Sequence, residues 1–107
     1  MKTLKFKPNL AEAILAGHET VTWRLFDDKN LQIGDRLELI NSETKAKFAE
    51  AEILKIKERK IGEVEEVDLI GHEKYSSHEE MFETYKQYYG DKVDKDTVVK
   101  IIEFKIL

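Results

Sequence analysis

The chain of 107 residues contains no cysteine and only one proline. Without thiols, neither a disulfide framework nor thiolate chemistry is possible. No apolar run is long enough to span a bilayer, and the first residues, MKTLKFKP, lack the apolar segment of a signal peptide. We therefore expect a soluble, cytoplasmic protein that does not bind a membrane.

Basic residues are also in short supply, because 18 Lys and Arg face 22 Asp and Glu, which gives a net charge of −4. This balance argues against indiscriminate binding along a nucleic-acid backbone, since such binding depends on many phosphate contacts. It leaves room for a local basic patch or a pocket that reads one nucleotide. With five glycines and no low-complexity tract, no linker is indicated, and residues 1–107 are predicted to form a single domain.

What the chain does contain is a series of short periodic segments. Alternating apolar residues predict strands over residues 3–7, 20–25, 36–40, 46–60 and 97–107, and helical spacing predicts helices over residues 10–16 and 78–89. Pro8 is predicted to end the first strand, and Asn9 to cap the first helix together with Glu12. The order β-α-β-β-β-α-β predicts an α+β fold, a small curled β-barrel of about five to six strands with two flanking helices.

The segment over residues 46–60 is too long for one flat strand, and its alternation changes phase. Ala51 and Ile53 share one parity, whereas Leu54 and Ile56 share the other. One extra residue exchanges the two faces of a strand, so we predict a β-bulge near Ile53. Bends of this kind curl small sheets into barrels.

The stretch GHETVTWRL, from Gly17 to Leu25, carries more polar groups of defined geometry than a plain connector. On a strand, Thr22 and Arg24 project to one face, and Trp23 projects to the other. Two interpretations follow: the polar face meets water, or Thr22 and Arg24 form the wall of a cleft. A hydroxyl both donates and accepts hydrogen bonds, and a guanidinium is a preformed fork for phosphate or carbonyl oxygens.

The segment GHETVTWR is similar to the G-x-K-x-x-T-x-R signature of ASCH domains, which belong to the PUA-like superfamily. The stretches AILAGHETVTWR, IGDRLELI and IEFKIL fit the family's order of helix, signature, GD turn and closing strand. The resemblance covers almost the whole chain. It implies a curled PUA-like β-barrel with flanking helices and a central cleft.

ASCH domains are generally regarded as RNA-binding or nucleotide-binding modules, so the resemblance implies RNA or a nucleoside or nucleotide as partner. In this reading, Arg24 and Lys7 contact phosphate or base edges. Tyr85 is the best candidate for stacking on a base, although its helical spacing equally fits a core residue. One branch of the family hydrolyses N(4)-acetylcytidine with a lysine and a threonine of the signature and a downstream glutamate. Thr22 matches that threonine, and Glu73 falls where the glutamate would lie.

The chain departs from the signature at its lysine, where it carries Glu19. Because a lysine of lowered pKa can activate water or a hydroxyl, we expect lysine-dependent amidohydrolysis to be absent or very weak. Glu19 and Glu73 in one cleft could instead act as general acid and base beside Thr22. Lys5 or Lys7 could supply an amine from the first strand.

Three functions remain open: a binding module for RNA or a modified nucleotide, a hydrolase of modified nucleosides, or a protein-interaction domain. The basic run LKIKERK, residues 54–60, fits a phosphate-contacting edge or a solvated strand. The three histidines lack ligand spacing, so we expect neither a metal nor a cofactor. A monomer or weak dimer is expected.

Overall fold

The computed structural model of the chain describes residues 1–65, 68, 75 and 77–107. Within these residues the elements follow in the order β1 (Lys2–Phe6), α1 (Pro8–Leu15), β2 (Val21–Leu25), β3 (Arg36–Asn41), β4 (Lys47–Lys60), α2 (His78–Tyr89) and β5 (Val98–Ile106). A short 3-10 turn, Ile61–Glu63, follows β4. The predicted α+β class and the predicted order of elements are therefore confirmed.

The strands form one sheet in the order β1-β3-β4-β5-β2. β1 pairs with β3 in parallel, and the other neighbours are antiparallel. β1 and β2 are thus the two edges of the sheet, although they are the first two strands along the chain. The sheet curls so that these edges face each other, and Arg24 on β2 donates a hydrogen bond across the gap to the carbonyl oxygen of Lys5 on β1.

The curl depends on the predicted bulge in β4. Ile53 lies opposite Phe104 and Lys55 lies opposite Glu103, so Leu54 is the extra residue at the register shift. Ile53 is fully buried, while Leu54 is exposed. The phase change allows a 14-residue strand to keep its apolar side chains inside while it bends.

The start of α1 differs from the prediction. Pro8 is the first helical residue and Lys7 is the N-cap, with an extended backbone and no capping hydrogen bond from its side chain. The Asn9 capping box was therefore wrong. Proline suits the first helical position, since its fixed φ is already helical and an N–H there has no partner within the helix.

The other predicted helix boundaries are confirmed. Gly17 (φ +81°) follows α1, where its N–H donates to the carbonyl oxygen of Ile14 at 3.1 Å. The left-handed backbone at Gly17 is one that glycine adopts without strain. At the start of α2, the Ser77 hydroxyl accepts the N–H of Glu80 at 3.1 Å, and Gly90 follows the last turn.

Two apolar clusters lie on opposite faces of β5, because successive residues of a strand alternate in direction. Ile102 and Phe104 join the cluster that includes Ile14 of α1, whereas Val99 and Ile101 join the cluster that packs under α2. The second cluster contains Val21, Trp23 and Leu25, so one face of β2 is core, as its alternation predicts. The opposite face of β2, with Thr22 and Arg24, is directed into the curl.

Neither helix in the described part of the chain combines the length and the apolarity that a membrane crossing requires.

Candidate functional site

A cavity of about 330 Å³ opens at the gap between the two edge strands. We call it the cleft. Its walls come from four regions: β1 and the start of α1, β2, the turn after β3, and the last turns of α2. The residues that line it are Lys5, Phe6, Lys7, Leu10, Thr22, Trp23, Arg24, Ser42, Tyr85, Tyr88 and Tyr89.

The cleft brings together four of the predicted site residues: Thr22, Arg24, Lys7 and Tyr85. The alternation of β2 explains the first two, since Thr22 and Arg24 share the face that points into the curl. Lys7 is the N-cap of α1, at the point where the chain leaves β1. These residues meet because the edges of the sheet approach each other, which no local pattern in the sequence encodes.

Arg24 bridges the two edges. Its Nη2 donates to the carbonyl oxygen of Lys5 at 2.9 Å, and its Nε donates to the Thr22 hydroxyl at 3.2 Å. The guanidinium carbon also lies 4.7 Å from the centre of the Phe6 ring, within cation–π range. The guanidinium is thus held in place by contacts with both β1 and β2.

The electrostatics of Arg24 suit an anionic or carbonyl ligand. Burial lowers the pKa of Arg24, and interactions with Tyr89, Tyr85 and Asp27 act in the opposite direction. An arginine pKa starts so high that the side chain stays charged at neutral pH. A half-buried, oriented cation in a cavity wall binds oxygen ligands more strongly than a fully hydrated one.

The Thr22 side chain lies on the inner face of β2, and the residue is only 7% exposed. Its hydroxyl oxygen accepts a hydrogen bond from Arg24, while the hydroxyl proton remains a donor that can point into the cleft. Of the two interpretations of the polar face, the structure shows the one in which Thr22 and Arg24 line a cavity.

The tyrosines of α2 divide into core and rim. Tyr85 is only 3% exposed, and its ring stacks on Trp23 at 5.8 Å and on Tyr89 at 6.3 Å between centroids. This burial fits the core interpretation of Tyr85. Tyr88 is 41% exposed and carries Lys7 Nζ at 4.6 Å from its ring centre. Among the tyrosines of the cleft, Tyr88 presents the most accessible ring.

Of the two predicted carboxylates, Glu19 does not line the cleft. Glu19 lines a separate cavity of about 540 Å³, beside Gly17, Thr20 and the end of β5. Glu73 lies outside the described residues. A catalytic role for either glutamate therefore stays a prediction.

The basic run on β4 has internal partners. Lys57 and Arg59 both form ion pairs with Asp68, whose side chain is fully buried, and the Arg59 Nε–Asp68 Oδ2 distance is 2.8 Å. Burial alone would raise the pKa of Asp68, but the Glu65 amide and the two cations lower it by more, so the net pKa falls below its ordinary value. Two cations of the predicted phosphate-contacting edge therefore anchor a buried carboxylate.

Sequence reasoning missed Ser42, and among the tyrosines that could stack on a base it preferred Tyr85 to the more exposed Tyr88. Ser42 reaches the cleft because its N–H donates to the carbonyl oxygen of Phe6 at 2.8 Å, beyond the end of the parallel β1–β3 pair. The turn NSETK contains no signal for that pairing, since the two strands are separated by a helix and another strand. Among the described residues, no group of three His, Asp or Glu is arranged to hold a metal ion.

No known protein-family model and no curated protein matches the sequence. Solved structures do match. An ASCH domain from Lactobacillus crispatus JV V101 superposes with a TM-score of 0.70 and 18% identity, over 92% of this chain and 70% of that one. A protein of Enterococcus faecalis V583, described by the family model DUF984, gives 0.77 and 16% over the same shares. A Pyrococcus furiosus protein gives 0.66 and 19% over 99% of this chain and 96% of its own.

At these identities the likeness establishes the fold, and it agrees with the position of GHETVTWR at the start of β2 and with the curled five-stranded sheet. The chain has the fold of the ASCH domain from Lactobacillus crispatus.

Proposed function

We propose that the cleft binds a nucleoside or nucleotide, either free or within single-stranded RNA. The observation that carries this proposal is the meeting of Arg24, Lys7, Thr22 and Tyr88 in one cavity between the sheet edges. The resemblance to ASCH domains, which are regarded as RNA-binding or nucleotide-binding modules, supports it.

Each of these side chains has a partner on a nucleotide. An exposed aromatic ring such as Tyr88 stacks on any base, because every base has a π face. Arg24 and Lys7 match phosphate oxygens, and the Thr22 hydroxyl can bond a base edge or a ribose hydroxyl. The volume of about 330 Å³ lies within the range of small-molecule sites and suits one nucleoside.

Salt and one substitution test the proposal. We expect a fluorescein-labelled RNA hexamer of mixed sequence to bind with an affinity that falls as salt rises. Three cations line the cleft, Lys5, Lys7 and Arg24, so the slope of log K against log salt should be about −2 for a single strand. Removing the guanidinium in Arg24→Ala should weaken binding about tenfold or more, since hydrogen bonds to charged groups contribute about 1.5–3 kcal/mol.

The matched control is Arg36→Ala, an exposed arginine at the start of β3 that does not line the cleft. Fluorescence anisotropy measures the affinity, and circular dichroism checks that each variant is folded. An equal loss in both variants, or no binding at any salt concentration, would refute the proposal and favour a role in protein contacts.

A second candidate function is hydrolysis of an acylated nucleoside, favoured by the presence of Lys5, Lys7 and Thr22 in the same cavity. The amine of Lys5 or Lys7 could replace the one that the signature would place at position 19. Water would add to the acyl carbon, the C–N bond to the base would break, and the base nitrogen would take up a proton.

This candidate is tested by incubating the protein with N(4)-acetylcytidine and following cytidine by chromatography. If it is correct, the unmodified chain releases cytidine and acetate, while Thr22→Val and Lys7→Met release neither. If the unmodified chain releases neither product, this second candidate is refuted.

A further inference from the structure

Phe26 combines an exposed ring with an unusual backbone. It directly follows β2, is 46% exposed, and has φ +53°. A bulky residue in the left-handed region carries backbone strain, and such strain is concentrated at functional sites. Asn30 and Lys45 share this conformation, but Phe26 has an aromatic side chain there. The backbone thus holds an apolar ring at the surface at a cost to stability.

The Phe26 ring continues the aromatic wall of the cleft. It meets Tyr89 edge-to-face, with centroids 5.9 Å apart, and Lys92 Nζ lies 4.4 Å from its ring centre. The contact between Phe26 and Lys92 resembles the one between Tyr88 and Lys7 at the rim of the cleft, where the distance from Nζ to the ring centre is 4.6 Å. Two exposed aromatic–lysine pairs therefore occur along one row of rings.

Arg24 lines two cavities. One is the cleft, and the other is a second cavity of about 290 Å³ that Phe26, Asp27 and Lys100 help to form. Asp27 in that second cavity is paired with Lys100 at 2.8 Å, so its charge is compensated. Glu58 also contributes to the lining. Because Arg24 lines both cavities, it is a candidate contact for the phosphate that joins two consecutive nucleotides.

We propose that Phe26 and Lys92 form a second nucleotide position, next to the one in the cleft, so that the protein binds a single-stranded RNA segment of at least two nucleotides. The inference rests on the proposed function and specifies its ligand further. One base stacks on Phe26, Lys92 contacts the adjoining phosphate, and Arg24 contacts the phosphate between the two positions. Aromatic stacking supplies this position without selecting a base.

Ligand length separates this inference from the proposed function. The probes are cytidine 5′-monophosphate and the trinucleotide CpCpC, titrated by calorimetry against the full chain. We expect the trinucleotide to bind about tenfold more tightly. Phe26→Leu keeps an apolar side chain but has no π face, so it should remove most of that advantage and leave mononucleotide affinity unchanged. Phe26→Tyr should retain the advantage.

Lys92→Ala should lower the salt slope for the trinucleotide by about 0.7, whereas Lys105→Ala, an exposed lysine on β5, should not change it. Equal affinity of the unmodified chain for the two probes would refute the second position but not binding in the cleft. The second position would also be refuted if Phe26→Leu still bound the trinucleotide more tightly than the mononucleotide. Failure of both probes to bind would overturn the cleft itself.

Discussion

At the scale of single residues, Asp27 is a carboxylate near the cleft that accepts three hydrogen bonds. Its carboxylate accepts N–H groups of Lys29 at 2.9 Å and Leu31 at 3.0 Å, and it pairs with Lys100 Nζ at 2.8 Å. Burial raises the pKa of Asp27, but the bond from Lys100 and the two amide bonds outweigh it, so the net pKa lies below its ordinary value. Asp27 thereby fixes the loop that connects β2 to β3.

This pair predicts a pH-dependent stability. A carboxyl whose pKa is lower in the folded state adds stability above its unfolded pKa of about 3.9, and this contribution is lost as pH falls through the folded pKa. We expect Asp27→Asn to lower the free energy of unfolding by about 1.5–3 kcal/mol at neutral pH, and the difference to shrink as pH falls below the unfolded pKa of about 3.9. Urea unfolding at both pH values measures it.

The control for this prediction is Asp28→Asn, at an exposed position next in the chain, which should be nearly neutral at both pH values. If Asp27→Asn lowers the free energy of unfolding equally at neutral and acid pH, the contribution of Asp27 does not depend on its charge.

The residue scale is also where sequence reasoning reached its limit. The signature picked out Thr22 and Arg24 because the residue types and spacing are local. Phe26 gave no signal, since a left-handed backbone at a phenylalanine is a property of the folded chain. Tyr88 and Tyr85 are both aromatic residues of one helix, and only packing against Trp23 decides which is buried.

At the scale of elements, the 3-10 turn packs closely against the segment before β5. The Gly62 N–H donates to the carbonyl oxygen of Lys95 at 3.0 Å. A Cβ atom at position 62 would lie 3.0 Å from both that oxygen and the Lys95 Cβ. Neither atom is the mobile end of a side chain, so a methyl group has no room unless the backbone moves.

We therefore expect Gly62→Ala to lower the free energy of unfolding by about 1–3 kcal/mol, the usual cost of forcing an extra methyl into a packed site. In a domain of this size the melting temperature should fall by about 4 °C for each kcal/mol. Calorimetry measures the shift, with Glu63→Ala, exposed in the same turn, as the control. An unchanged melting temperature for Gly62→Ala would mean that the turn relaxes freely.

Periodic elements were predictable and their contacts were not. The helix over residues 78–89 has the predicted bounds because Ser77 and Gly90 signal its ends. The bulge was predictable because the phase of the β4 alternation changes at Ile53. The start of α1 was mispredicted because Pro8 can end a strand or open a helix, and the sequence alone does not separate the two.

At the scale of the whole molecule, a net charge of −4 is compatible with binding a short anionic ligand. The reason is that some cations form internal ion pairs, whereas others line the cleft. Lys57 and Arg59 are paired with Asp68, whereas Lys5, Lys7 and Arg24 surround the cleft. Few phosphate contacts are then possible, which favours a segment of one or a few nucleotides over a long strand. Net charge alone would have pointed away from nucleic acid.

The topology itself followed from the resemblance more than from the periodicity. Alternation and spacing predict which segments are strands, but the sheet order β1-β3-β4-β5-β2 depends on pairings between distant parts of the chain. The cleft exists only because those pairings leave β1 and β2 as facing edges. The sequence was sufficient to name four of its residues, but not to predict that they line one cavity.

The hydrogen bonds that Arg24 makes to β1 and β2 affect how the cleft could bind a ligand. A guanidinium carries five N–H groups, and the two bonds described above use one at Nε and one at Nη2. Three donors remain for an incoming oxygen, so a guest does not need to displace the link between β1 and β2. The empty cleft therefore already holds this guanidinium in the position from which it would bind a ligand.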